Sequence, residues 1–251
     1  MTSASIDTTT TSFSYEAFDS VHTATLHTPA EPPVATAIVC TGSAMLSLDP
    51  SHAAVAGLET LANALEHALL RQRVAVVRPD PIRDAPNPEA LLEATTSFLD
   101  AAFTASGSIG RHFVIALSAA APLLSIAAAQ RGLDAMVLVA PPILEVCSNR
   151  PDRVDQTLID HLGLAPDIAA ALGALAPMNK GTQGAPSALL VHGAADTIVP
   201  PGDSIGWRAS LAVAGIHAER IEVAFAQHDL SPEPCRNVAV EAIVSFLTST
   251  T

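Results

Sequence analysis

The sequence predicts an α/β domain in which helices cover both faces of a mainly parallel β-sheet. Short apolar segments, several of them rich in β-branched residues, alternate along the chain with longer segments whose apolar residues recur at helical spacing. Hydrophobic residues make up 49% of the 251 residues, which is enough for a large core. Strands that alternate with helices favour parallel pairing through crossover helices.

Eight short segments predict the strands of this sheet. In chain order they cover residues 13–18, 21–26, 36–40, 74–77, 113–117, 135–139, 188–191 and 220–223. The first two lie close enough together to form an antiparallel pair. The other six are separated by longer segments, most of them with a helical pattern, and this predicts the parallel part of the sheet.

Helices are predicted from apolar spacing and from residues that begin or end a helix. Asp49-Pro50 and Asn87-Pro88 each combine an N-cap with a first-turn proline. Gly132 follows the helical segment of residues 119–130 as a C-terminal stop. Two further helices are expected at residues 203–214 and 235–247.

Two segments depart from the alternation and set the predicted domain limits. Residues 1–12 are polar and predict a disordered tail, followed by a single domain at residues 13–251. Within that domain, residues 145–184 contain no strand candidate and carry leucines interrupted by alanines. They predict a small helical lid inserted at one end of the sheet.

Composition excludes several classes of function. The net charge is −13 and no basic cluster occurs, so we expect neither nucleic acid nor a membrane as a partner. No apolar run reaches the roughly 18 residues of a membrane span, and no secretion signal is visible. Three cysteines without framework spacing favour a cytoplasmic protein. Histidine and glycine spacings indicate no metal and no cofactor.

Polar residues follow four of the predicted strands, at the carboxyl ends where parallel sheets bind ligands. Gly42-Ser43-Ala44 follows the third strand, and Ser118 follows the segment of residues 113–117. Asp196 and His228 come after the last two strands. A serine hydroxyl is a weak nucleophile that needs a histidine base, and that base needs a carboxylate to orient it. The three residue types therefore suit nucleophilic catalysis.

At these residues the chain resembles the α/β-hydrolase superfamily, over residues 13–248. The stretch ALLVHGAADTIVPPGDS resembles the acid-bearing turn of that family, AFAQHDLSP its histidine loop and IVCTGSAM its oxyanion strand. The resemblance implies an α/β-hydrolase fold. It also implies that Ser118 is the nucleophile, Asp196 the acid and His228 the base.

The same resemblance implies an oxyanion hole and shows one departure from the family pattern. The backbone N–H groups of Ser43 and Ala119 would form the hole, with Ala44 as an alternative to Ser43. The family places Gly-x-Ser-x-Gly around the nucleophile, whereas residues 116–120 of this chain read ALSAA. Glycines let the strand and the helix approach closely at this turn, so two alanines predict an altered elbow.

Single residues of this set have other interpretations. His192 and Asp196 also fit the His-x-x-x-Asp pattern of some acyltransferases, in which the histidine is the base. Asp196 alone could cap a turn, and His228 alone could be a surface histidine. Asp80 and Asp229 are reserve carboxylates, although a direct sequence neighbour of His228 rarely orients toward its ring.

The sequence therefore predicts a serine hydrolase that cleaves a small-molecule ester or thioester with a mainly apolar acyl group. The residues expected to contact substrate are Met45, Leu46, Leu117, Ile143, Leu162 and Ile198. Two alternatives remain open: an acyltransferase, C–C hydrolase or cyclising thioesterase on the same triad, and a catalytically silent binding protein with this fold. The oligomeric state is not indicated by the sequence.

Overall fold

The computed structural model of the chain describes residues 7–46, 53–82, 88–107, 110–129, 133–143, 187–213 and 215–249. The predicted lid at residues 145–184 lies outside these ranges. So do the predicted helix-capping residues Asp49 and Asn87 and the predicted helix stop Gly132. The described residues contain the sheet, the helices that cover it and the ends of the strands where function is expected.

The sheet has eight strands in the spatial order β1-β2-β4-β3-β5-β6-β7-β8. The strands are β1 Thr8–Ala17, β2 Ser20–Pro29, β3 Ala35–Cys40, β4 Val74–Pro79, β5 Arg111–Leu117, β6 Ala135–Val139, β7 Ser187–Gly193 and β8 Ala218–Val223. β2 pairs antiparallel with β1 and β4, and the remaining pairs are parallel. All eight predicted strands are therefore present, in a mainly parallel sheet.

The edge strand β1 begins earlier than the sequence predicts. Thr8 already pairs with Pro29 of β2, and the pairing continues to Ala17 opposite Ser20. Residues 8–12 thus belong to the sheet and not to a tail. Their side chains are exposed, but threonine is β-branched and favours strands, and backbone pairing with β2 satisfies the polar main chain.

Six helices accompany the strands in the described ranges. They are α1 Gly42–Leu46, α2 Ala53–Arg71, α3 Pro88–Ser106, α4 Ala120–Ala129, α5 Gly202–Val213 and α6 Glu233–Ser249. One core layer contains buried residues of α3, α4 and α5, such as Phe98 and Leu123. The other contains those of α2 and α6, such as Leu65 and Ile243. Both sheet faces are therefore covered by helices.

None of the described helices has the length and hydropathy needed to cross a membrane.

The connections bring four strand ends to one edge of the sheet. β3, β5, β7 and β8 all run in the same direction, because β3 is parallel to β5 and the parallel pairing continues through β6 to β8. Their carboxyl ends therefore open toward the same side. This edge carries the residues that the sequence singles out.

Candidate active site

Ser118 lies on a sharp turn between β5 and α4. Its backbone has a φ of 55°, in the left-handed region that costs a non-glycine residue about 1–2 kcal/mol. The turn is held because Ser118 N–H donates to Val139 O at 2.8 Å and Ala121 N–H donates to Ser118 O at 2.9 Å. The strained turn holds the Ser118 side chain at the carboxyl edge of the sheet, where its hydroxyl meets a histidine.

The turn forms although alanine stands on both sides of Ser118 where the family pattern has glycine. Ala116 and Ala120 are both fully buried. Ala116 lies in β5 between Cys40 of β3 and Leu138 of β6, and its methyl group is part of the core layer next to α4. The elbow conformation is therefore reached with a methyl group at each of the two positions.

Ser118, His228 and Asp196 form a chain of hydrogen bonds. His228 Nε2 lies 2.8 Å from Ser118 Oγ, and His228 Nδ1 lies 2.8 Å from Asp196 Oδ2. All three residues are buried, with exposed fractions of 5% for Ser118 and His228 and 7% for Asp196. The Nδ1 atom faces a carboxylate and so carries the hydrogen, which leaves Nε2 free to accept the Ser118 hydroxyl proton.

Asp196 accepts four hydrogen bonds and stays ionised. Its Oδ1 accepts the N–H groups of Ile198 at 2.8 Å and Val199 at 2.9 Å, and its Oδ2 accepts from His228 and His192. Burial alone would raise the pKa of Asp196. The hydrogen bonds from His192, His228 and Val199, together with the charge that His228 can carry, outweigh burial and lower that pKa well below the usual aspartate range.

His192 is a second histidine on the same carboxylate, and its contacts argue against the acyltransferase pattern. Its Nε2 lies 3.1 Å from Asp196 Oδ2 and 3.0 Å from Val199 O. Both neighbours are acceptors, so Nε2 carries the hydrogen. Nδ1 has no partner among the described residues. The His192–Asp196 spacing is visible in the sequence, but the contact orients the carboxylate and leaves His228 as the residue beside Ser118.

The backbone N–H groups expected to form an oxyanion hole lie at the same edge. No acceptor for Ala119 N–H occurs among the described residues. Ser43 is the second residue of α1, so its N–H has no acceptor within that helix. Ala44 N–H donates to Thr41 Oγ1 at 3.3 Å. Of the two expected donors Ser43 and Ala44, it is therefore Ala44 whose N–H has an acceptor among the described residues.

The residues expected to contact substrate fall into three groups. Leu117 is fully buried in the core layer of α2 and α6, which assigns it to packing. Ile143 and Ile198 are half-buried at the carboxyl edge, and Ile143 N–H donates to Asp203 Oδ2 at 3.0 Å. The backbones of Met45 and Leu46 lie in α1, while their side chains and the whole of Leu162 are outside the described residues.

The two reserve carboxylates have partners other than the catalytic candidates. Asp80 is exposed and accepts a hydrogen bond from Thr23. Asp229 is half-buried; its Oδ1 accepts from Ser231 N–H at 3.0 Å and its Oδ2 lies 3.6 Å from Arg236. Within the described ranges, no group of three or more histidine, cysteine or acidic side chains is arranged to hold a metal ion.

Gly193 fixes the path of residues 224–232, which we name the histidine loop. A methyl group at Gly193 would overlap the carbonyl oxygens of Ala226 and Gln227, which are backbone atoms directly before His228. Gly57 of α2 has a similar role toward the same loop, since a methyl group there would overlap the Asp229 side chain. The two glycines allow close approach of the loop that carries His228.

We therefore expect Gly193→Ala to lower kcat for the ester hydrolysis that the sequence predicts by about 10²-fold, because a displacement of about 1 Å is enough for such a loss. Steady-state kinetics on the folded variant measure this. Gly202→Ala is the matched control, since no atom lies within 4 Å of a methyl group built there. Equal rates for the two variants would show that the loop does not depend on the Gly193 contact.

Comparison with known proteins gives no match by sequence and clear matches by structure. No family model and no curated protein matches the chain. Est1E from Butyrivibrio proteoclasticus matches with a TM-score of 0.70 at 14% identity, over 95% of this chain and 98% of its own. An esterase from Pyrobaculum calidifontis matches with a TM-score of 0.73 at 16% identity, over 96% and 85%.

A third solved structure is described as an alpha-beta serine hydrolase homologue from Coxiella burnetii. It has a TM-score of 0.59 at 17% identity, over 94% of this chain and 97% of its own. All three similarities extend over nearly the whole of this chain. The chain has the α/β-hydrolase fold.

Proposed function

We propose that this protein is a serine hydrolase that cleaves a carboxylic ester through an acyl-enzyme on Ser118. The observation that carries the proposal is the pair of 2.8 Å contacts that link Ser118 to His228 and His228 to Asp196. Among the similar solved structures, the one from Pyrobaculum calidifontis is named an esterase and the one from Coxiella burnetii a serine hydrolase homologue. A serine on a strained turn, beside a histidine oriented by a carboxylate, is suited to nucleophilic catalysis.

In the proposed mechanism, Ser118 Oγ attacks the ester carbonyl carbon while its proton moves to His228 Nε2. The negative oxygen of the tetrahedral intermediate accepts hydrogen bonds from the N–H groups of Ala119 and Ser43. One such donor contributes about 2.7–4 kcal/mol to the stability of the transition state. Asp196 stabilises the imidazolium that forms and does not take up the proton.

The intermediate collapses when His228 Nε2–H protonates the leaving oxygen, and the alcohol departs. Water then enters, His228 accepts a proton from it, and the resulting hydroxide attacks the acyl carbon. Collapse of the second tetrahedral intermediate returns the proton from His228 to Ser118 Oγ and releases the acid. Each proton transfer uses the same Nε2 atom, so one histidine serves both half-reactions.

For the substrate, we propose a small ester or thioester with an apolar acyl group. Ile143 follows β6, the strand beside that of Ser118, and Ile198 follows Asp196. Both are half-buried apolar side chains at the sheet edge that carries Ser118.

The free thiols of Cys40 and Cys235 are compatible with the cytoplasmic location that the sequence predicts.

The test is labelling with a fluorophosphonate probe, together with hydrolysis of p-nitrophenyl esters from acetate to octanoate. We expect the native protein to be labelled and Ser118→Ala to remain unlabelled, with hydrolysis fastest on one of the longer acyl chains. A well-folded native protein that is neither labelled nor active would support the silent binding protein instead. Product analysis with an added alcohol separates hydrolysis from acyl transfer.

A further inference from the structure

Glu59 of α2 contacts the turn that carries one proposed oxyanion donor, although the proposed catalytic mechanism does not use it. Glu59 Oε1 accepts hydrogen bonds from Thr41 Oγ1 at 2.5 Å and Ser43 Oγ at 2.6 Å. Both hydroxyls belong to residues 41–44, which we name the 41–44 segment. One carboxylate oxygen therefore holds two side chains of this segment from the neighbouring helix.

The other oxygen of Glu59 is held by a cation from the sheet. Arg78 of β4 donates through Nη2 to Glu59 Oε2 at 2.8 Å, and its side chain is only 17% exposed. The second nitrogen of Arg78, Nη1, lies 3.2 Å from Asn63 Oδ1 and 3.4 Å from Glu66 Oε2. The Glu59 side chain is therefore restrained by contacts on both oxygens.

These bonds restrain the backbone of the 41–44 segment as well as its side chains. Thr41 Oγ1 uses its hydrogen on Glu59 and accepts the N–H of Ala44. Ala44 O in turn accepts Ile82 N–H at 2.8 Å. Ser43 lies between these anchored residues, so the direction of its N–H depends on the network around Glu59.

We propose that Glu59 is a positioning residue that holds the Ser43 N–H in line with the Ala119 N–H. This inference rests on the proposed function, because the two N–H groups have a role only if an oxyanion forms at Ser118. The carboxylate suits the task, since one oxygen accepts two hydroxyl protons while the other accepts from a guanidinium. An amide cannot do both, because its nitrogen is a donor.

The test compares two glutamates of the same helix that share Arg78 as a partner. Glu59→Gln loses one acceptor facing the 41–44 segment or Arg78. Among the described residues, Glu66→Gln changes contacts with Arg78 and His27 alone. We expect Glu59→Gln to lower kcat for a p-nitrophenyl ester by about 10- to 100-fold. The upper value is close to the effect of removing one oxyanion donor. KM should change by less than about twofold. Glu66→Gln should keep kcat within about threefold of native, because no contact of Glu66 with the 41–44 segment occurs among the described residues.

Variants of Thr41 separate positioning from folding. Thr41→Ser keeps the hydroxyl and should keep most of the native kcat, while Thr41→Val keeps the shape and should lower kcat in the same way as Glu59→Gln. The thermal midpoint of each variant is measured alongside its kinetics. A loss of kcat that is equal in Glu59→Gln and Glu66→Gln, or native kcat in Thr41→Val, would overturn the proposal. A native protein without Ser118-dependent activity would instead reject the proposed function itself.

Discussion

Ser118→Ala is expected to lower kcat for ester hydrolysis by about 10⁶-fold, a larger loss than we expect from any other single substitution in this chain. The substitution removes the atom that would form the covalent bond, while alanine fits the buried turn at least as easily as serine. His228→Ala is expected to cost nearly as much. The measurement is kcat on a chromogenic ester with each variant shown to be folded by circular dichroism.

The combined Ser118→Ala, His228→Ala variant is the control for this result. In the proposed mechanism Ser118 and His228, which lie 2.8 Å apart, act as one unit, so the double variant should be no slower than the slower single variant. Losses that multiply would indicate that the two side chains act in separate steps. An alanine variant at position 118 that keeps most of the native kcat would remove this serine from the mechanism.

Asp196→Asn is expected to lower kcat by about 10⁴-fold while the fold is retained. The two backbone donors, Ile198 and Val199, require an oxygen at the Oδ1 position, so the amide nitrogen would take the place of Oδ2. That nitrogen is a donor and would face His228 Nδ1, which would then have to accept. The hydrogen of His228 would move to Nε2, and this atom could no longer take the proton of Ser118.

Asp229→Asn is the matched control for this variant, because it changes a neighbouring carboxylate that contacts Ser231 and Arg236 rather than His228. We expect its kcat to stay within about threefold of native, as for other changes away from the reacting atoms. A kcat for Asp196→Asn that equals that of Asp229→Asn would contradict the role of Asp196. Measurement of both rates across about pH 5–9 would show whether the loss is a shifted pH profile or a true loss of kcat.

The central part of the site could be predicted from the sequence because it depends on topology. Parallel strands end at one edge of a sheet, so residues that follow β5, β7 and β8 become neighbours whatever their distance along the chain. Ser118, Asp196 and His228 each follow one of these strands directly or within a few residues. The chemical need for a nucleophile, a base and a carboxylate then selects them among the polar residues at that edge.

The supporting contacts could not be predicted, because they depend on side-chain direction and helix rotation. Glu59 meets Ser43 only because α2 turns that face toward the 41–44 segment, and the apolar spacing of α2 does not determine which polar residue points there. The spacing of four residues between His192 and Asp196 indicates a possible contact. It does not indicate the role of His192, since the position of its ring hydrogen follows from the two acceptors around Nε2.

Two elements of the fold could likewise not be predicted from the sequence pattern. The five-residue helix α1 is too short to give a periodic pattern, so the sequence does not predict it. The polar start of β1 looks like a tail because its side chains face solvent, and only the main-chain pairing with β2 makes it a strand. Edge strands of this kind carry little hydrophobic signal.

The positive φ of Ser118 has a consequence for how proteins with this fold change over time. Glycine adopts such a conformation without steric cost, so the hydroxyl is kept at a position where folding alone would favour its loss. Glycine at position 118 would lower the cost of the turn but would remove the proposed nucleophile and its contact with His228. At this single position the proposed chemistry and the lowest backbone cost therefore favour different residues.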